Sequence, residues 1–393
     1  MPATPTWNNR DAGDACGPAA RDLPLLLGRQ PRCADRAVAM RAVRGRVILI
    51  TGAGGSIGGA LARALAMLDP ARLVLLDHGE FALWRIRQEL NEINPALGQQ
   101  AIIADMRDTA RLRRVLAAAR PDIVVHTAAL KHVPIVQEHP LEGLLTNAIG
   151  TRNLVDAARA AGSRTVVLVS TDKAVAPKSV MGASKRLAEM YGQAADVAAR
   201  ARGEALRCVS LRLGNVMGSA GSVAQLFQRQ LAAGGPLTVT HPDMRRFFIA
   251  PAEAIGLLLA ASQLATDDQT PPGAVLVPEM GEPIRIRDLA LRMIRAAGLV
   301  PGRDVAIRFT APREGEKLTE QTCHGADPAY PTADPALTAV IPHAPDLALA
   351  ARAFDELEAA CRAGDERLAL SQLSRLIPGF SHRPEGRANR MRA

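Results

Sequence analysis

Two groups of residues in this sequence have types and spacing suited to chemistry. The first is a set of glycines. Gly52, Gly55 and Gly58 follow the apolar run Val47–Thr51 in a G-x-x-G-x-x-G pattern, with Ser56 and Ile57 between the last two. Gly52 permits a tight turn, Gly55 lets backbone N–H groups approach a diphosphate, and Gly58 lets a helix pack close to the preceding strand. The positive end of that helix then faces phosphate. The second group is the lysines. The chain holds 43 arginines but five lysines, at positions 131, 173, 178, 185 and 317. Arginine keeps its proton in a protein, whereas a buried lysine can release one. Lysine kept in so few places suggests sites that need an amine. The two tyrosines, Tyr191 and Tyr330, do not precede a lysine by four positions.

Elements must hold these residues in place. Short β-branched runs predict strands at Val47–Thr51, Leu73–Asp77, Ala101–Ala104, Ile123–His126, Thr165–Ser170 and Cys208–Leu213. Helical periodicity fills Ile57–Leu68, Phe81–Asn91, Thr109–Ala119, Leu141–Ala161 and Met181–Ala201. This alternation predicts βαβ units and an α/β fold. Right-handed crossovers make it a doubly wound parallel sheet of Rossmann type. Asp77 then ends the second strand, where a carboxylate can bond both ribose hydroxyls of an adenosine and repel a 2′-phosphate. That favours NAD over NADP, although Arg85 and Arg87 are close enough in sequence to reach a phosphate. Asp105 ends the third strand, on the adenine side, or serves as the acid at a helix start. Residues 171–173 leave the fifth strand at the edge where ligands bind.

The organisation follows. Residues 1–45 read as a linker or arm, 46–218 as the dinucleotide-binding domain, and 219–345 as a smaller substrate lobe interleaved with it. Residues 346–376 read as one or two amphipathic helices, and 377–393 as a disordered basic tail. The net charge of +9 resides at the ends: residues 1–46 hold eight Arg and four Asp, and residues 374–393 hold five Arg and one Glu. The body is nearly neutral, which argues against a nucleic-acid groove. The basic ends read as solvated segments with at most a weak pull toward an anionic membrane surface. Five scattered cysteines without a C-x-x-C pair argue against disulfides and metal clusters and favour a reducing cytoplasm. No metal site is expected.

Nine stretches then occur in the order of one known family: TGAGGSIG (51–58), LLDHGEF (75–81), LKHVP (130–134), TNAIGT (146–151), STDKAV (170–175), VMGASKR (180–186), RLGNVMGSAGSV (212–223), TVTHPDMRRFF (238–248) and GEKL (315–318). Together they resemble the polysaccharide-biosynthesis nucleotide-sugar dehydratases, the UDP-N-acetylglucosamine 4,6-dehydratase family of the extended short-chain dehydrogenase/reductase superfamily. In that superfamily a Y-x-x-x-K motif supplies the base. Here Lys185 is present, but Met181 stands four positions before it. The match is closest to a long, membrane-anchored branch in which Met replaces the tyrosine. It covers residues 22–325. Residues 22–45 resemble that branch's connector, so a form without the anchor is expected, at the inner face of the membrane or free in the cytoplasm.

The resemblance implies a reaction. Members oxidise the sugar's C4 hydroxyl with NAD(P)+, eliminate water across C5–C6 and return the hydride to C6. A 4-ketone acidifies the C5 proton, and the 6-hydroxyl leaves once an acid protonates it. The resemblance makes Asp172 that acid, Lys173 the base at C5, Thr171 the partner of O4, and Lys185 the partner of the nicotinamide ribose. Met181 has no proton to exchange, so the group that deprotonates the C4 hydroxyl stays open. Met106, Thr127, Ala128 and Ala129 resemble cofactor contacts. Lys131, His132, Asn147, Asn215 and Glu316 resemble sugar-side positions, and Arg245 and Arg246 resemble positions near the UDP diphosphate. His132 reads equally as a structural histidine. A Lys173 base needs burial or cationic neighbours to release its proton.

Three departures from the pattern stand at Gly79, Ala104 and Ala311–Glu314, and none removes a proposed catalytic group. Two other functions compete. A UDP-N-acetylhexosamine 4-epimerase forms the same ketone but needs no acid–base pair at C5–C6. A catalytically silent NAD-binding partner of a full-length homologue accounts for the lost tyrosine. The superfamily also implies a homo-oligomer through a four-helix bundle, with helices 141–161 and 181–201 apolar enough to form it.

Overall fold

The structure is a computed structural model that describes residues 22–32 and 36–381. The tail expected to be disordered from 377 onward instead buries Ile377 and Phe380 in a core, and the expectations for residues 1–21 and 382–393 lie outside the described residues.

The first six strands form where predicted, with ends shifted by up to two residues: β1 (Val47–Thr51), β2 (Arg72–Asp77), β3 (Gln99–Ile103), β4 (Ile123–His126), β5 (Thr165–Thr171) and β6 (Arg207–Leu213). Three more join the same sheet from the region read as the second lobe: β7 (Val275–Pro278), β8 (Ala329–Pro331) and β9 (Leu337–Val340). The sheet order is β8-β9-β7-β6-β5-β4-β1-β2-β3. Strands β1 to β7 run parallel, whereas β9 pairs antiparallel with β7, and β8 with β9. A sheet covered on both faces takes continuous apolar strands, and Ile123–His126 is buried throughout. Strand order reverses at β1, which lies between β2 and β4. Thr51 is level with both Leu76 and His126, so the strand ends open one crevice.

Helices cover both faces. On one side α1 (Ser56–Ala66), α2 (Glu80–Ile93) and α6 (Pro251–Leu264) share a core that includes Leu61, Leu83 and Leu257. On the other side α3 (Thr109–Ala119), α4 (Gly150–Ala160), α5 (Val180–Ala201), α7 (Leu347–Arg362) and α8 (Glu366–Leu376) share a second core. A third core gathers Phe227, Met244, Phe248 and Leu289 in the substrate lobe. Strands β7, β8 and β9 place parts of the stretch 219–345 in the main sheet.

Residues 22–32 and 36–45 depart from the linker reading. Helix Leu23–Leu27 buries Leu26 and Leu27 in the third core, and helix Arg36–Val43 buries Ala39 and Val43 beside α6. Arg29 forks onto Glu253 at 2.6 and 3.1 Å and also donates to the Met280 and Phe248 carbonyls. Helices this short are held by tertiary packing, which leaves little periodicity in the sequence.

Candidate active site

The glycine loop joins β1 to α1. Gly52 has φ +65°, and a Cβ there would lie 2.8 Å from the Ala128 backbone. A Cβ on Gly58 would lie 2.1 Å from the Gly52 oxygen, and one on Gly54 2.3 Å from the Ala82 methyl. Close packing therefore demands glycine at these three positions. Gly55 is less crowded and is the residue before the first helical turn. Asp77 braces the loop from β2: its two oxygens accept the Gly54 and Gly79 N–H groups, each at 3.0 Å. Each oxygen keeps a lone pair for another donor. The Ser56 hydroxyl accepts the Ala220 N–H at 3.1 Å, joining the loop to the substrate lobe.

Asp77, Asp105, Met106, Thr127, Ala128 and Ala129 line one cleft with Gly52, Gly54 and Gly55. Its volume of about 420 Å³ lies in the small-molecule range of roughly 300–1,000 Å³. The glycine floor, the helix start and the carboxylate at the end of β2 fit the adenosine diphosphate part of a dinucleotide. Asp105 lies two residues beyond β3 and is chelated by Arg107, whose guanidinium holds its carboxyl below the usual range. Thr127 donates to the Thr51 carbonyl at 2.7 Å.

Beneath the cleft runs a buried polar chain. The Thr151 hydroxyl donates to the Asn147 carbonyl at 2.6 Å, so it accepts from His126 Nε2. His126 Nδ1 then accepts the Thr51 hydroxyl proton at 2.7 Å. Burial, and then the charge of Lys185, push His126 down to about 3. It is a neutral structural element. Asn147 lies in a π-helical turn, Leu145–Ile149. Its side chain grips both the N–H and the carbonyl of Leu130, at 2.8 and 2.9 Å, and also reaches Ser184. Asn147 is wholly buried, and the groups it holds are the Leu130 backbone and Ser184.

The reactive corner follows β5. Asp172 is completely buried. Its Oδ1 accepts the Thr171 hydroxyl and the Lys173 amine, each at 2.9 Å. Its Oδ2 has no hydrogen-bond partner among the described residues. A buried carboxylate oxygen left unpaired is costly, and such atoms call for an explanation in function. The Lys173 amine also donates to Asn215 Oδ1 at 2.9 Å. Lys185 and Met181 lie on the first turns of α5, both buried. Burial lowers the Lys185 amine to about 8, against the pull of Glu189.

Two features escaped the sequence reading. Glu320 is buried, with one oxygen 4.0 Å from Lys173 and the other 2.7 Å from Lys317. It follows Lys317 by three residues in an irregular segment, where no periodicity marks it. Glu189 on α5 is forked by Arg212 at 2.8 Å and accepts from Ser170 at 2.6 Å. Burial works to raise its carboxyl, but Arg212 and Arg186 prevail and hold it at about 2. The pair fastens α5 to the ends of β5 and β6.

On the substrate side, buried Arg246 donates to the Arg245 and Lys317 carbonyls at 2.7 and 2.8 Å. Arg245 is half-buried beside it and donates to the Pro283 carbonyl at 3.5 Å. Lys131 and His132 are exposed, and the His132 ring lies where a Gly221 side chain would be. Glu316 closes its own turn by accepting the Arg313 N–H at 3.1 Å. Asp172, Lys173, Asn215, Glu320, Lys317 and Arg246 thus form one connected network, while Lys131, His132 and Glu316 lie outside it.

Comparison with known proteins agrees with this architecture. The profile of a family described as "Polysaccharide biosynthesis protein" matches residues 48–341. The capsular polysaccharide biosynthesis protein CapD of Staphylococcus aureus is 41% identical over 297 residues, covering 75% of this chain and 48% of that protein. This chain therefore spans about half the length of CapD. A UDP-glucose 4-epimerase of Rickettsia typhi is 32% identical over 289 residues, covering 72% of this chain and 79% of the epimerase. The solved structure of Pen from Bacillus thuringiensis aligns with TM-score 0.68 at 28% identity, over 76% of this chain and 87% of that one. The family match spans most of the sheet and the whole turn after β5, so the chain belongs to this polysaccharide-biosynthesis family.

Proposed function

We propose that the chain is a 4,6-dehydratase of UDP-N-acetylglucosamine or a close UDP-N-acetylhexosamine, making a 4-keto-6-deoxy sugar for polysaccharide, O-antigen or capsule synthesis. The observation that carries this is Asp172: a buried carboxyl with one free oxygen, bonded to a threonine hydroxyl and a lysine amine. The reading takes NAD as cofactor, held by the glycine loop and Asp77, with Lys185 at its ribose. When bound, it supplies the acceptor for the C4 hydride and the donor to C6.

The chain's own residues handle the protons, and the count restricts their roles. Dehydration removes one proton from O4 and one from C5. It delivers one to the leaving hydroxyl and one back to C5. If the Thr171 hydroxyl meets O4, it relays that proton to Asp172, to which it already donates. Asp172 is then the acid that the 6-hydroxyl needs. Neutral Lys173 takes the C5 proton and later supplies one to C5. Both groups finish as they began, so Met181 needs no proton. Arg245, half-buried beside Arg246, offers a fork of donors that suits a diphosphate.

A 4-epimerase is the second reading, favoured by the similarity to an enzyme named UDP-glucose 4-epimerase. One experiment separates the two. The protein is incubated with UDP-N-acetylglucosamine and NAD+ in deuterated water, and the sugar is read by mass and proton NMR. Loss of one water, a new C6 methyl and deuterium at C5 are expected. A product of unchanged mass and inverted C4 would replace dehydration with epimerisation.

A further inference from the structure

The dehydratase reading makes Lys173 a base, yet the groups facing its amine are acidic. From its own turn comes Asp172, at 2.9 Å. From the strand pair of residues 215–216 and 248–249 comes the Asn215 oxygen, also at 2.9 Å. From the irregular segment of residues 313–320 comes Glu320, at 4.0 Å. Behind Glu320 stands Lys317, 2.7 Å from its second oxygen. Lys317 in turn donates to the Val175 carbonyl at 2.8 Å, two residues beyond Lys173. Charges therefore alternate along Asp172, Lys173, Glu320 and Lys317, and all four side chains are buried or nearly so.

We propose that Glu320, with Lys317 behind it, positions Lys173 and sets the pH at which its amine becomes a base. The role of Lys173 rests on the dehydratase reading; the charge linkage itself rests on the geometry. Glu320 attracts the ammonium form and steadies the side chain. Alone beside Asp172, it would keep Lys173 charged and idle. Lys317 offsets that attraction and anchors the segment to the backbone of the reactive turn. The charge that faces the base thus comes from a residue about 150 positions away. Glu320 touches the lysine amines at 173 and 317 and acts through Lys173, so it is a positioning residue.

The chain has five lysines, which makes a direct test practical. Each amine in the full chain is labelled competitively with acetic anhydride across a pH series, and its reactivity midpoint is read by mass spectrometry. In Glu320→Gln the Lys173 midpoint should fall by about one pH unit, because an opposite charge some 4–6 Å away is removed. In Lys317→Met it should rise, because Glu320 is no longer offset. Glu320→Asp should stay near the wild-type value, and Lys131 and Lys178 should not move. Opposite shifts from two variants cannot come from general damage, and Lys317→Met answers the question if Glu320→Gln does not fold. Coincident Lys173 midpoints, or shifts of one sign in both variants, overturn the proposal. The pH profile of water loss from UDP-N-acetylglucosamine should follow the labelling midpoints. Shifted midpoints in a chain that releases no water would overturn the dehydratase reading and leave the charge linkage standing.

Discussion

Asp172 and Lys173 are neighbours in sequence, and the tight turn after β5 makes them neighbours in space as well. Removing either should have a distinct signature. Asp172→Asn should lower turnover by about 10²–10⁴ while NAD still binds, since general acid–base groups contribute on that scale. Lys173→Ala should abolish deuterium entry at C5; exchange at the wild-type rate would remove lysine from the base role. The pair was legible from its position at the end of a predicted strand. The free oxygen of Asp172 and its bond to Thr171 were not, because side-chain hydrogen bonds depend on groups folded around the turn. Glu320 was silent for the same reason: nothing in an irregular segment announces what it will be packed against.

At the scale of elements, the glycine loop was the most readable part. Its chemistry is local: a strand, a turn with positive φ and a helix that must lie close. Gly58→Ala should abolish NAD binding in calorimetry, because its methyl would sit 2.1 Å from the Gly52 carbonyl and displace the loop. Retained affinity would mean that the loop has slack that the packing does not suggest. The fastening of α5 is different. Glu189 and Arg212 are 23 residues apart and lie on a helix and the strand that follows it. Breaking a buried pair on one side costs about 3–5 kcal/mol, so Arg212→Met should unfold in clearly less urea. The Glu189 carboxyl is held below its unfolded value of about 4.5. Its contribution is therefore full above that pH and is lost as pH falls toward about 2. Acid titration should show the wild type's advantage over Arg212→Met shrinking across that window.

Across the whole molecule, the C-terminal helices take a surface that the family resemblance assigns to a second copy. Phe354 of α7 packs against Tyr191 with ring centroids 5.0 Å apart, and Arg152 of α4 pairs with Asp355 at 2.8 Å and with Glu358. Phe354, Leu357, Leu370 and Leu373 are buried there. A chain cut after Pro345 should melt more than about 5 °C lower, since each such side chain contributes about 1.5–3 kcal/mol. Sedimentation should show it self-associating through the uncovered helices. An unchanged melting curve would make α7 and α8 an appendage. Among the described residues no helix is long and apolar enough to cross a membrane.

What the sequence by itself determined was everything set by short-range pattern. Alternating apolar runs dictated the parallel sheet, glycine spacing dictated the phosphate turn, and strand ends located Asp77 and Thr171–Lys173. Tertiary structure alone decided the rest. It took residues 22–32 and 36–45 out of the linker class by packing Leu26, Leu27, Ala39 and Val43 into cores formed by later elements. It buried Asn147 against the Leu130 backbone and Ser184, and it brought Glu320 and Lys317 onto the reactive turn. These outcomes depend on which surfaces meet across long sequence separations, and burial and ion pairing are properties of that meeting rather than of any local segment.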